Sequence, residues 1–265
     1  MTHAPAGLVT LLTDFGLRDP FVGVMKGVLL AEHPGLALVD LTHGIGPGAV
    51  AEGAFWLERS FRYFAPGTVH CAVVDPGVGS ARAAVVLAAE RHLFVGPDNG
   101  LLAEITLRTP HHEVRAIDLR RHGLTDASHT FHGRDVFAVV AGRLATRQLA
   151  FADVGDLVQL SVPSPVPGIV SEADGFVGNL LTADHFGNLI TTLRASEVLP
   201  QAGAAFRLQV AGKMLRSVRT FAEAEPGELV ALVGSFDTVE VAVRDGSAVA
   251  RLQPVPGSSV KLFPS

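Results

Sequence analysis

The 265-residue chain has a single cysteine, Cys71, so no intramolecular disulfide can form and the fold must rest on its buried core. A lone thiol fits a reducing compartment, and the cytoplasm is the expected location. No basic run of five or more residues occurs, and 21 Lys and Arg against 26 Asp and Glu leave a formal charge of −5, so nucleic acid is not an expected partner. Apolar residues make up 48% of the chain. Even so, no uninterrupted apolar stretch approaches the roughly 20 residues that span a bilayer, and no membrane partner is expected. Residues 1–7 lack the basic and apolar segments of a secretory signal. There is no GxGxxG or GxxxxGK[ST] phosphate loop, no HExxH and no Cys/His zinc spacing, so neither a polyphosphate cradle nor a metal site is expected.

What the chain does have is alternation. Residues 9–13 (VTLLT) read as a strand ending in the turn residues Asp14-Phe15-Gly16. Asp19-Pro20 reads as a helix start, an N-cap followed by proline at the first helical position, and Val24, Val28 and Ala31 recur at helical spacing up to His33-Pro34. A second strand over 36–42 and a helix carrying Val50, Ala54, Leu57 and Phe61 follow, then a third strand over 68–75. Two further apolar runs, 84–88 and 93–95, precede the turn Gly96-Pro97-Asp98-Asn99-Gly100, and 134–148 reads as one last amphipathic helix. Such alternation predicts a mostly parallel sheet, whose ligands sit outside the carboxyl ends of the strands, where Asp14, Thr42, His43 and Asp75 fall. It stops at the proline-rich stretch 162–168 (VPSPVPG). Beyond that lie short β-like runs at 176–183, 189–192, 206–210, 228–233, 238–243, 248–252 and 259–263. The expected architecture is an α/β N-terminal domain with a mostly parallel sheet (1–165) and a smaller all-β, barrel-like C-terminal domain (166–265).

Particular stretches carry residues suited to chemistry. In Thr13-Asp14-Phe15-Gly16, a carboxylate at a strand end either closes a turn or accepts two hydrogen bonds from a vicinal diol. In Asp75-Pro76-Gly77-Val78-Gly79-Ser80-Ala81-Arg82, a flexible turn can fold Arg82 back onto Asp75, as a structural salt bridge or as a charge pair at a cleft mouth. Thr130-Phe131-His132-Gly133-Arg134-Asp135 sets a histidine just before a helix start, as a cap or as a proton carrier. His70 and His111-His112 receive no role. Asp184-His185-Phe186-Gly187-Asn188 offers an acid, an aromatic face and an amide, and Gly234-Ser235-Phe236-Asp237 and Val239-Glu240-Val241-Ala242 follow it.

In their order along the chain, TDFG, DPGVG with Arg82, FVGPDNGLL, TFHGRD, DHFGN and GS with VEVA make a pattern that resembles the SAM hydroxide adenosyltransferases, relatives of the fluorinase and chlorinase. The resemblance spans about Leu8 to Leu262. It implies a hydrolase that splits S-adenosyl-L-methionine (SAM) with water into adenosine and L-methionine, with SAM as substrate and no cofactor. It implies that Asp75, Arg82 and His132 hold the nucleophilic water, Arg82 orienting it and Asp75 or His132 taking its proton. It further implies that Asp14 accepts the ribose diol, that Asp184 and Ser235 hold the amino and carboxyl ends of methionine, and that Phe186, Asn188 and backbone near 243–245 meet adenine. The family assembles as homotrimers with sites between the N-terminal domain of one subunit and the C-terminal domain of its neighbour. Halogenating relatives lack the Asp, Arg and His set and carry an inserted loop, whereas here the connection 88–92 is tight and the set is complete. That favours hydrolysis over the alternatives, a SAM-dependent halogenase or a non-catalytic SAM- or adenosine-binding module. The chain departs from the halogenase pattern at Gly48 (tryptophan there) and Phe236 (arginine there), and Thr238 replaces a commoner tyrosine.

Overall fold

The computed structural model describes residues 5–265, which divide into two compact units at Pro165/Val166. The first unit contains the strands β1 (Leu8–Thr13), β2 (Ala37–Thr42), β3 (Val69–Val73), β4 (Ala84–Ala89), β5 (His92–Pro97), β6 (His112–Ala116) and β7 (Leu157–Val158). Its helices are α1 (Phe21–Glu32), α2 (Val50–Ser60), α3 (Ala103–Arg108) and α4 (Val139–Ala145), the last entered through a π-helical segment, Gly133–Ala138. The strands form one seven-stranded sheet in the order β2-β1-β3-β5-β4-β6-β7.

This sheet is mixed, not mostly parallel. β1 runs parallel to β2 and β3, and β3 parallel to β5, as the alternation predicts, but β4 is antiparallel to both β5 and β6, and β6 to β7. The reversal comes from the two-residue connection Glu90-Arg91, both at positive φ (46° and 67°), the backbone that lets a tight hairpin follow strand twist. Neither residue is the Asn or Gly that normally announces such a turn, so the sequence pattern passes over it.

Alternate residues of β1 face opposite layers. Val9 and Leu11 pack with Met25, Leu29, Phe137 and Val140 of the α1/α4 side, and Leu12 approaches Gly53 of α2 on the other. Helix α1 starts one residue later than its proline suggests: Pro20 is the N-cap, its carbonyl accepting from Val24 N at 2.8 Å, without a side-chain cap. Burial pushes the Cys71 thiol up to about 12, which keeps it protonated and inert.

The second unit is an eight-stranded, all-antiparallel, nearly closed sheet of β8 (Val170–Glu172), β9 (Gly175–Ala183), β10 (Leu189–Arg194), β11 (Phe206–Val210), β12 (Lys213–Arg216), β13 (Leu229–Val233), β14 (Thr238–Val243) and β15 (Ser259–Pro264). Helix α5 (Ala195–Ala202) lies where the sequence pattern predicts no element. Residues 248–252, expected as a strand, instead form helix α6 (Ala248–Leu252), because the Ser247 hydroxyl accepts from Ala250 N at 3.2 Å and caps it. Among the described residues, no helix is long and apolar enough to cross a membrane.

Candidate active site

Parallel pairing puts Thr13 opposite Val73 and Leu12 opposite Thr42, so the segments leaving β1, β2 and β3 emerge on one edge. Asp14 and Asp75 follow two of those strand ends. Asn99 Nδ2 donates to the Val74 carbonyl at 2.8 Å, which gives the GPDNG turn a structural task beside Asp75.

After Asp75 the chain turns back, with Val78 N on the Asp75 carbonyl at 3.2 Å and Ser80 N on the Gly77 carbonyl at 3.1 Å. Gly79 lies at φ +78°, and a Cβ there would stand 2.5 Å from the His129 carbonyl oxygen, so only glycine lets this turn pack against the segment leading to His132. Arg82 returns to Asp75 as a forked pair: Nε donates to Oδ1 at 2.9 Å and Nη2 to Oδ2. Both side chains are more than nine-tenths buried, 9% and 4% exposed, so the pair is largely desolvated.

Arg82 Nη2 also meets His132 Nδ1 at 3.0 Å. A guanidinium only donates, so Nδ1 must be the lone-pair nitrogen and the proton of neutral His132 sits on Nε2. Burial and then the Arg82 charge hold the His132 pKa below the ordinary 6.5, against the opposing pull of Asp75. His132 is the residue before the π-helical segment, and Asp135 Oδ2 accepts from Ser128 N at 2.9 Å, tying down the loop that delivers it.

Asp75 and His132 line a cavity of about 400 Å³ together with Phe15, Phe21, Phe131 and Arg134. The three phenylalanines meet edge to face at centroid distances of 5.4 to 6.0 Å, giving the cavity an apolar wall next to its charged cluster. Asp14 is outside this group. Its Oδ2 accepts from Gly48 N at 2.8 Å, a backbone donor that aims the carboxylate.

In the second unit the expected residues divide. Asp184 and Asn188 are joined: Oδ1 accepts from Asn188 N and Oδ2 from Asn188 Nδ2, both at 2.8 Å. Between them Gly187, at φ +85°, tightens the turn and lifts Phe186 out to 77% exposure. Ser235 lies in a different turn, between β13 and β14, and is exposed. Thr238 points inward, its hydroxyl donating to Glu240 Oε1 at 3.0 Å. Glu240 belongs to the VEVA motif, but the sequence reading gives it no role of its own. It is 8% exposed, and burial raises its pKa, the Thr238 bond opposing and the neighbouring charge of Asp184 reinforcing the rise. Its signal was there, an acid in the otherwise uncharged run TVEVAV.

Residues 9–155 match the SAM hydroxide adenosyltransferase N-terminal domain and residues 178–261 the C-terminal domain. This chain belongs to the SAM hydroxide adenosyltransferase family. It is 42% identical to the (R)-S-adenosyl-L-methionine hydrolase of Salinispora tropica, with 98% of each chain covered. It is 40% identical to the hydrolase of the same name from Thermus thermophilus, over 96% of this chain and 99% of the relative. Among solved structures, a conserved protein from Thermotoga maritima superimposes with a TM-score of 0.88 at 31% identity, covering 96% and 99% of the two chains. Within this adenosyltransferase family member, the linked Asp75–Arg82–His132 cluster and the separate Asp184–Asn188 turn belong to the two matched domains.

Proposed function

We propose that this protein hydrolyses S-adenosyl-L-methionine by attack of water on the 5′ carbon, releasing adenosine and L-methionine. The observation that carries the reading is the Asp75–Arg82–His132 array at the cavity wall. The positive sulfonium makes methionine a good leaving group. The water oxygen forms a bond to C5′ as the C5′–S bond breaks, and its electron pair returns to sulfur as a neutral thioether. The protein therefore needs to place one water in line and accept its proton. With Nδ1 committed to Arg82, His132 serves as an Nε2–H donor to the water oxygen, and Asp75 is the proton acceptor. Arg82 holds both and offsets negative charge building on the nucleophile.

Asp14 takes the ribose diol, Asp184 and Ser235 the methionine ends, and Phe186 and Asn188 the adenine, with backbone near 243–245. The displacement needs neither metal nor cofactor, since the sulfonium is already activated. A carboxylate at the nucleophile position repels halide, which separates this reading from halogenation. The protein works as a homotrimer in the cytoplasm, each site drawing its N-terminal residues from one subunit and its C-terminal residues from the next.

The test is chromatography and mass spectrometry after incubation with SAM in ¹⁸O-water containing a chelator, with and without chloride. Adenosine labelled at its 5′ oxygen, with methionine and no chloride effect, is expected. Bound but intact SAM points to a binding module, and chloride-dependent product to a halogenase.

A further inference from the structure

We propose that His43 is a positioning residue that aims the Asp14 carboxylate; the inference rests on reading Asp14 as the acceptor of the ribose diol. His43 leaves β2 at the strand edge where Asp14 leaves β1, and it grips both flanks of that aspartate. Its Nδ1 meets the Thr13 hydroxyl at 2.8 Å, and its carbonyl accepts from Gly16 N at 2.9 Å. The same Thr13 oxygen accepts from Phe15 N at 3.2 Å, so one hydroxyl ties the residues before and after Asp14 to the ring. Five residues beyond His43, Gly48 N holds Asp14 Oδ2 directly, so one loop controls the flanks and the carboxylate itself.

The far side of the ring faces a carboxylate. Nε2 lies 3.0 Å from Asp40 Oδ1, and Asp40 Oδ2 accepts from Lys26 Nζ of α1 at 2.6 Å. Burial works to raise the Asp40 pKa, but the bonds from Lys26 and His43 outweigh it, and the carboxyl stays below its usual range and ionised. A carboxylate at Nε2 keeps the proton there and leaves Nδ1 to accept from Thr13. The chain Lys26–Asp40–His43–Thr13 thus runs from helix α1 to the Asp14 loop. His43 is 5% exposed and Thr13 fully buried, so water cannot replace the bond between them.

The ring's two nitrogens can be tested apart. His43→Asn keeps an acceptor near the Nδ1 position, and His43→Gln keeps a donor near Nε2 but loses the Thr13 bond. Kinetics are read on SAM and on its 2′-deoxy analogue. His43→Gln is expected to raise KM for SAM about tenfold with kcat within about twofold, and to erase the preference for SAM over the analogue as Asp14→Ala does. His43→Asn is expected to retain the preference. Thr13→Val, which deletes the hydroxyl at nearly constant volume, carries the same expectation as His43→Gln and serves if that variant does not fold. Equal behaviour of the Asn and Gln variants, or an equal loss on both substrates, overturns the positioning role. A wild-type enzyme that hydrolyses SAM without preferring it to the analogue overturns the ribose role of Asp14 and this inference with it.

Discussion

The two units hold their candidate residues in opposite ways. In the first, Asp75 and Arg82 are buried, forked together and joined to His132, a cluster whose geometry is set before any substrate arrives. In the second, Phe186 is 77% exposed, Ser235 is exposed, and Asp184 and Asn188 satisfy each other within one turn. The contrast fits a division of labour. Groups that act on a reacting atom gain from a rigid, desolvated setting, and groups that recognise the rest of a ligand can sit on turns, provided a rigid sheet carries those turns.

That contrast can be broken first at Asp75. Asp75→Asn should lower kcat by about 10²-fold or more while SAM affinity stays within a few-fold, measured by adenosine release and by calorimetry. Unchanged turnover would remove the cluster from the chemistry. Arg82→Ala is the harsher change, since it strands a buried carboxylate and should also cost about 3–5 kcal/mol of stability.

His132 sharpens the comparison through pH. Its pKa is held below 6.5, chiefly by burial, so the ring stays neutral to lower pH than an ordinary histidine. Protonation at Nδ1 would set two donors face to face with Arg82. Activity is therefore expected to persist below pH 6.5 and to fall only as pH drops through the lowered pKa, while His132→Asn should cut kcat about tenfold or more and abolish that limb. An acid limb unchanged in the variant would assign it elsewhere.

On the recognition side, Phe186→Ala should raise KM about tenfold by loss of base stacking and leave kcat nearly unchanged. A fall in kcat as large as that of Asp75→Asn would erase the proposed division.

The smallest effect falls outside both sets, at His70, which lies wholly buried between Thr10 and His92. Burial and then the neighbouring His92 push its pKa down to about 3. Above about pH 6.5 the ring is neutral folded or unfolded and has no effect. As pH falls from there toward 3, the unfolded chain takes a proton the folded one refuses, and stability declines. His70→Leu should flatten the denaturation midpoint against pH in that window without altering the pH profile of kcat at saturating SAM. An unchanged slope would mean that another group controls it.

How much of this could be read in advance varies with distance along the chain. The first strands and helices were legible from apolar period, and Asp75 with Arg82 from a turn short enough to fold back on itself. The β4–β5 reversal was not, because Glu90-Arg91 carries no hairpin signature, and 248–252 reads as a strand because five mostly apolar residues suit either state until a cap decides. His43 and Glu240 stand in the sequence reading without a role for another reason: the Thr13 partner of His43 comes from a different strand, and the burial of Glu240 beside Thr238 is a property of packing.

By itself, then, the sequence determined the alternation of elements, the family and the residue types able to do the chemistry, because period, turn composition and motif order are properties of neighbouring residues. Only the tertiary structure decided that Arg82 would reach a histidine 50 positions away, that this contact would fix the histidine's tautomer, and that Thr13 and His43 would close around Asp14. Those outcomes depend on parallel strand order and on close packing such as Gly79 against His129, and neither is encoded within any local window.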